Sequence, residues 1–377
     1  MEKNLSTNGK QDRQAWLKTA SILFGIGSAV VLIVLVELTA YLFLRWSGRS
    51  VHPFLLNIHQ DDGIKAISPM FEGDMYSYLD PHLGYAHNPN AARADYKALP
   101  GFTIYGSGAG DGKVLRIVTL GGSTTDGNTP HIWAQALQEI IAKDGIKVQV
   151  INGGVAGFSS NQELLKMIRD VLPLKPDIII SLNGVNEYGV RATVRFHPMV
   201  NMYQASIMNY LVKEPDPPFI PNTLYVLRRL GQKLSGTKPI QRGVNYGPKV
   251  DVSAADQWQR NVRLMHAAAA EFEIPYLCFL QPALGIGEYQ PTEREKKLLL
   301  NEKGEIIYGY LDVAKEFYDA ARSSCVQYSY CVDLVDVFVG EQDVYVDKMH
   351  PNIKGYEIIA QAIYKTLREK EPTLFKK

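Results

Sequence analysis

The chain has 377 residues, 46% hydrophobic and 21% charged, enough for two ordinary packed domains or one large decorated one. That composition excludes a disordered chain, a collagen-like repeat and a disulfide-dense mini-protein. Forty Lys and Arg against thirty-nine Asp and Glu leave a net charge of +1, which offers no electrostatic basis for binding nucleic acid.

The mean hydropathy of −0.12 averages over one very apolar segment. Residues 19–44 carry a single charge, Glu37, around the run Ala29-Val30-Val31-Leu32-Ile33-Val34-Leu35-Val36. About 25 residues at 1.5 Å each make a helix of roughly 38 Å, longer than a hydrocarbon core of about 30 Å. No polar face appears along it, which disfavours a buried core helix. A cleaved signal peptide has an apolar region of about 7–15 residues followed by small residues. This run is longer and ends in Phe43-Leu44-Arg45-Trp46. The expectation is an uncleaved transmembrane helix over residues 19–45, in contact with the lipid bilayer through 19–44. Lys3, Lys10, Arg13 and Lys18 precede the span, against Arg45 and Arg49 after it. That bias makes residues 1–18 a cytoplasmic N-terminus and puts the remainder outside the cytoplasm. Glu37 reads as a carboxylate tolerated near the outer interface.

Residues 46–112 contain Pro, Gly, Asn and aromatics without clear period, and read as a linker and irregular lead-in. A strand–helix alternation follows. Strands are expected at 114–120, 148–152, 177–182, 274–280 and 332–337, and helices at 132–143, 162–172, 258–272 and 353–368. This alternation predicts a three-layer α/β/α sandwich on a parallel five-stranded sheet, filling 113–377. Two stretches interrupt it, at 190–250 and 283–310. Both follow expected strands and so emerge at the carboxyl edge of the sheet, where sites in such folds lie. The charged run Glu293-Arg294-Glu295-Lys296-Lys297 reads as a solvated helix.

Cys325 and Cys331 bracket five residues, a loop able to close as a disulfide if the Cα atoms approach within about 7 Å. Cys278, within an apolar strand pattern, reads as a small buried hydrophobe. No CxxC or Cys/His cluster supports a metal site, and no cofactor is called for.

Four short blocks stand at strand ends or before the last helix. Gly121-Gly122-Ser123-Thr124-Thr125 puts a serine after two glycines, where a tight turn exposes its Oγ; an ordinary Gly/Ser turn also fits. Asn152-Gly153-Gly154-Val155-Ala156-Gly157-Phe158-Ser159 lets the backbone approach a ligand closely, but lacks Walker spacing and its Lys. Asn183-Gly184-Val185-Asn186-Glu187 offers an Asn amide as a donor to a developing oxyanion, with a turn-forming Asn as the plainer reading. In Asp347-Lys348-Met349-His350-Pro351-Asn352 an Asp lies three residues before a His, close enough to take its Nδ1 proton. Pro351 suits the first turn of the following helix.

Taken together, these blocks and their order resemble the SGNH (GDSL-type) hydrolase superfamily over about residues 113–368, with a flavodoxin-like sheet. The resemblance implies Ser123 as nucleophile, His350 as general base and Asp347 as its orienter, Asp343 being the alternative. It implies an oxyanion hole of the Ser123 backbone N–H, Gly157 and Asn186, with Gly154 as the alternative to Gly157. Gly122 stands where the family often has Asp, Thr124 where it has Leu, and Glu187 where Asp usually follows the Asn. None of these changes removes a catalytic group. They argue against a plain secreted lipase.

The implied chemistry is hydrolysis of an ester through an acyl-serine. Exported proteins similar to this one commonly act on acyl groups of surface polysaccharides, so the expected substrate is an acylated carbohydrate. Tyr188, Tyr203, Tyr210 and Tyr225 would suit stacking on sugars, although aromatics that pack the insertion are the plainer reading. The first expectation is an esterase removing O-acetyl groups, anchored in a bacterial inner membrane with its catalytic domain in the periplasm. An O-acetyltransferase with the same triad and an inactive glycan-binding subunit of a polysaccharide-assembly machinery are the alternatives.

Overall fold

The computed structural model describes residues 3–46, 77–80, 82–87, 99, 101–106, 113–127, 130–188, 227, 253–300 and 310–376. The chain divides into two compact units, residues 1–66 with 208–244, and residues 67–207 with 245–377. In the first unit, helix α1 spans Lys3–Trp46. Its segment Trp16–Phe43, of mean hydropathy 2.5, is long and apolar enough to cross a membrane. Side chains along it, Phe24 and Ile33 among them, are exposed.

Among the described residues of the second unit, an antiparallel hairpin of β1 (Ser77–Asp80) and β2 (Gly84–His87) comes first. Strand β3 (Thr103–Tyr105) follows, then β4 (Leu115–Gly121), α2 (Trp133–Lys143), β5 (Val148–Asn152) and α3 (Ser160–Lys166). A π-turn, Met167–Val171, and a 3-10 turn, Leu172–Leu174, extend α3. Next come β6 (Ile178–Asn183), α4 (Ala254–Glu271), β7 (Tyr276–Leu280), α5 (Glu293–Leu298), α6 (Tyr310–Gln327), β8 (Cys331–Asp333) and α7 (Ile353–Lys370). The main sheet runs β3-β5-β4-β6-β7-β8. All neighbours are parallel except β3, which pairs antiparallel with β5 and opposes Thr103 to Asn152. The parallel strands keep the flavodoxin-like order 2-1-3-4-5.

The central strands are apolar on both faces because helices cover both. From β6, Ile178, Ile180 and Leu182 pack with Trp133 and Leu137 of α2 and with Ile359 and Ile363 of α7. Ile179 points to the other layer, onto Trp258 and Met265 of α4 and Phe317 of α6. Burying one such side chain contributes about 1.5–3 kcal/mol, so these two layers dominate the stability.

The expected three-layer α/β architecture and its four longer strands are present, with several differences, among them the 18-residue helix α6, which no expected helix covers. The sheet has a sixth strand, β3, and the lead-in expected to be irregular also carries the β1–β2 hairpin. These strands are three or four residues long, too short to show a period of two. The last strand ends at Asp333 rather than 337, because the Asp333 Oδ1 accepts the Val335 N–H at 2.9 Å and turns the chain. Helix α7 begins after Asn352, whose side chain caps the Gly355 N–H at 3.0 Å. Pro351 therefore lies outside the helix, in a bridge opposite Tyr345. Cys325 and Cys331 are joined, their Cα atoms 4.6 Å apart, and tie the end of α6 to β8. Cys278 is a buried free thiol whose pKa burial pushes up. Tyr188 is buried against Phe317 and Tyr318, at ring distances of 5.9 and 6.0 Å, and so packs the core rather than offering a sugar platform. Tyr203, Tyr210 and Tyr225 lie outside the described residues.

Behind β6 the core is not apolar. Glu163 of α3 is fully buried, and its Oε2 accepts from the Asn183 amide at 2.9 Å. Asn183 in turn accepts from Trp258 Nε1 at 2.6 Å. Glu187 caps the first turn of α3, accepting the Ser160 N–H at 2.5 Å. Burial first, and then the neighbouring Glu187 carboxyl, push Glu163 well above the usual carboxylate range. An acid whose pKa is raised by folding holds its proton more tightly folded than unfolded. Its contribution to stability is therefore lost as pH rises from the unfolded pKa toward the folded one. Glu163→Gln keeps an acceptor for Asn183 without the charge. Its melting temperature relative to wild type should rise between pH 5 and pH 8; a difference that does not change with pH would contradict this.

Candidate active site

Strand β4 delivers the first block to the carboxyl edge of the sheet, beside β6, where the strand order reverses. The Gly122 carbonyl accepts the Thr125 and Asp126 N–H groups at 2.9 and 3.0 Å, so Ser123 sits in a tight turn. A side chain at Gly121 would run into Thr125 and the Leu182 carbonyl, and one at Gly122 into the Asn186 amide. Both glycines are present because three loops meet here without room for a Cβ.

The half-buried Ser123 Oγ lies 2.7 Å from His350 Nε2, and His350 Nδ1 lies 2.7 Å from Asp347 Oδ2. Asp347 Oδ1 accepts the backbone N–H groups of Met349 and His350 at 2.7 and 2.8 Å. Partial burial disfavours the charged Asp347. The hydrogen bond from His350 and those two backbone donors outweigh it and hold the carboxyl below its ordinary value. Asp343, the alternative orienter, is engaged elsewhere, with Thr292 Oγ1 at 2.8 Å and Arg294 Nε at 2.9 Å.

The second block packs against the first. Asn152 staples it to the first: its Oδ1 accepts from Thr119 Oγ1 and from the Gly154 N–H, and its Nδ2 donates to the Thr125 carbonyl. The Val155 N–H donates to the Gly121 carbonyl and the Ala156 N–H to Asp126 Oδ2, both at 3.0 Å. Gly157 is the third residue of a turn closed by Phe158 N–H to Val155 carbonyl, and its φ of +78° is one that glycine supplies without strain. Among the described residues, the Ser123 and Gly157 N–H groups donate to no protein acceptor. This separates Gly157 from Gly154, whose N–H is already spent. Asn186 Nδ2 uses one hydrogen on the Phe158 carbonyl at 2.7 Å, and an amide nitrogen has a second. The structure thus brings together Ser123, His350, Asp347 and Asn186, with Gly157 in the loop that Asn186 holds.

Sequence reasoning missed Glu295. The run it belongs to is solvated at Glu293 and Lys296, but Glu295 itself is 0% exposed. Its Oε1 accepts the Val344 and Tyr345 N–H groups at 2.9 and 3.0 Å, and its Oε2 accepts from the Tyr289 hydroxyl and the Thr292 N–H. Burial works against its charge, but these donors outweigh it and lower its pKa. Arg294 adds a bond to the Tyr345 carbonyl at 2.6 Å. Together they brace Val344 and Tyr345, the segment that leads into the Asp347–His350 loop. The capping-box pattern Thr292-x-x-Glu295 was the signal available in the sequence. Glu295→Ala leaves several buried donors unpaired and should destabilise the fold by about 3–5 kcal/mol, read as a lower denaturant midpoint. A midpoint like wild type would show that the loop needs no such brace.

The sequence profile of the GDSL-like Lipase/Acylhydrolase family matches residues 119–358. Among curated proteins none matches the chain. Among solved structures the chain is similar to the acetylxylan esterase Axe2 of Geobacillus stearothermophilus, at 13% identity over 70% of this chain and 95% of that one, with a TM-score of 0.41. It is similar to LAE5, an alpha/beta hydrolase enzyme from the metagenome of Lake Arreo, Spain, at 15% identity over 67% and 94%, TM-score 0.39. A third is the acetyl xylan esterase AlAXEase, at 17% identity over 67% and 99%, TM-score 0.37. With its profile spanning well over half of the sequence, and with the four blocks within or beside one edge of the sheet, this chain belongs to the GDSL-like lipase/acylhydrolase family and is a serine ester hydrolase.

Proposed function

We propose that the enzyme removes O-acyl groups, chiefly O-acetyl, from a cell-surface or exported polysaccharide, using Ser123, His350 and Asp347. The observation that carries this reading is the unbroken run of hydrogen bonds from Ser123 Oγ through His350 to Asp347, with each link at 2.7 Å. His350 Nε2 takes the Ser123 proton as Oγ attacks the acyl carbonyl. The carbonyl oxygen becomes an oxyanion met by the Ser123 and Gly157 N–H groups and the second Asn186 amide hydrogen. One such donor is typically worth about 2.7–4 kcal/mol. The tetrahedral adduct collapses, the sugar oxygen leaves with the proton held by His350, and the acyl group stays on Ser123. Water, deprotonated by His350, then attacks the acyl-serine, and the carboxylic acid departs as Ser123 regains its proton. Asp347 keeps Nδ1 protonated throughout and stabilises the imidazolium.

The polymer reading rests on two features. Asp347 is 51% exposed and Ser123 half-buried, so the site opens at the surface, where a group on a large carrier can reach it. The apolar segment reads as an anchor at 19–45, and the basic residues before it favour an orientation with the hydrolase-like domain, 113–377, outside the cytoplasm, which in a bacterial inner membrane is the periplasm. There, surface glycans rather than coenzyme A esters carry acyl groups.

The test is acetate release from an O-acetylated polysaccharide by the full-length protein in detergent. Ser123→Ala and His350→Ala should each lower kcat by about a thousandfold or more, and Asp347→Asn should leave measurable residual turnover. Release that survives Ser123→Ala would overturn the assignment, and acetyl transfer to an added sugar in place of water would make the enzyme a transferase.

A further inference from the structure

The β1–β2 hairpin, from the segment expected to be an irregular lead-in, reaches the second block. Its Leu83, Tyr85 and Ala86 form a small buried cluster with Val155 and Phe158. The Tyr85 hydroxyl donates to the Ala156 carbonyl at 2.7 Å, and its ring meets the Phe158 ring edge-on at 5.3 Å. The hairpin is itself held on the extension of α3. Arg169 binds both oxygens of Asp80 at 2.8 and 2.9 Å, and Gln162 Nε2 donates to the Leu83 carbonyl at 3.3 Å.

The Ala156 carbonyl belongs to the same peptide unit as the Gly157 N–H. In a trans peptide those two groups point in opposite directions. Fixing the carbonyl therefore aims the N–H, and a hydrogen bond to the carbonyl also polarises the N–H. The preceding peptide is fixed as well, because Asp126 accepts the Ala156 N–H and lies 3.3 Å from the buried His87 Nε2 of the same hairpin. The Phe158 ring that Tyr85 packs belongs to the residue whose carbonyl orients Asn186. Tyr85 thus stands behind two oxyanion donors without lying among the reacting atoms.

We infer that Tyr85 is a positioning residue for the oxyanion hole, acting through the Ala156–Gly157 peptide. The role rests on the acyl-transfer reading above. It makes the hairpin part of the catalytic apparatus rather than of a linker. The contribution falls in the transition state, where the oxyanion develops, and not in substrate binding.

Tyr85→Phe keeps the ring and its packing and removes only the hydroxyl. In the full-length protein in detergent, with p-nitrophenyl acetate, kcat should fall about tenfold while KM stays within twofold. Affinity for phenylboronic acid, whose serine adduct is tetrahedral, should fall by the same factor, and the melting temperature should stay near that of wild type. Hydrolysis and boronate affinity both within twofold of wild type, with hydrolysis abolished by Ser123→Ala, would overturn the role of Tyr85 alone. So would a fall in kcat without the matching loss of boronate affinity. Hydrolysis that survives Ser123→Ala would overturn the underlying reading and this role with it.

Discussion

The bond between Ser123 Oγ and His350 Nε2 joins residues 227 apart in the chain. One follows β4 near the middle of the sheet; the other precedes α7, the last long helix. A contact of 2.7 Å between such distant points survives only if both loops are held by something stiffer than themselves. On the serine side that support is close packing of backbone, with glycines where the first block meets Leu182 and Asn186, and Asn152 bridging the first two blocks. On the histidine side it is the apolar seam of α7 against the sheet and α2, and the Glu295 brace before the loop.

Several buried polar groups follow from the same constraint. Glu295 satisfies otherwise orphaned donors near the loop, and its charge is repaid by hydrogen bonds. Glu163 and Glu187 are a different case, because burial raises both and the Glu187 carboxyl raises Glu163 further. They sit where α3 meets the end of β6 and the helical residues that carry Asn186, and their hydrogen bonds tie α3 to the third block.

Much of this was legible in the sequence. Strands β4 to β7 are continuous apolar runs because both faces are covered, and such runs need no knowledge of partners to be read. The blocks holding Ser123 and Asn186 were visible at the ends of expected strands, and the one holding Asp347 and His350 before the last helix, and the structure brings these four residues together. The short strands did not, since three or four residues show no period and their pairing is set by the neighbours. Glu295 was hidden by its charged surroundings, although its capping box was visible. That the Gly154 N–H is spent on Asn152 could not be read from the sequence, because it depends on where the Asn152 side chain lies. Tyr85 lay in a segment whose irregular composition concealed its contact with a loop 71 residues away.

The central claim is that Ser123 is a nucleophile activated by His350. Labelling of the full-length protein with a fluorophosphonate, followed by mass spectrometry of its peptides, tests it directly. The account predicts a single adduct on Ser123, formed at least a hundredfold more slowly in His350→Ala. An adduct on another residue, or equally fast labelling without His350, would contradict it.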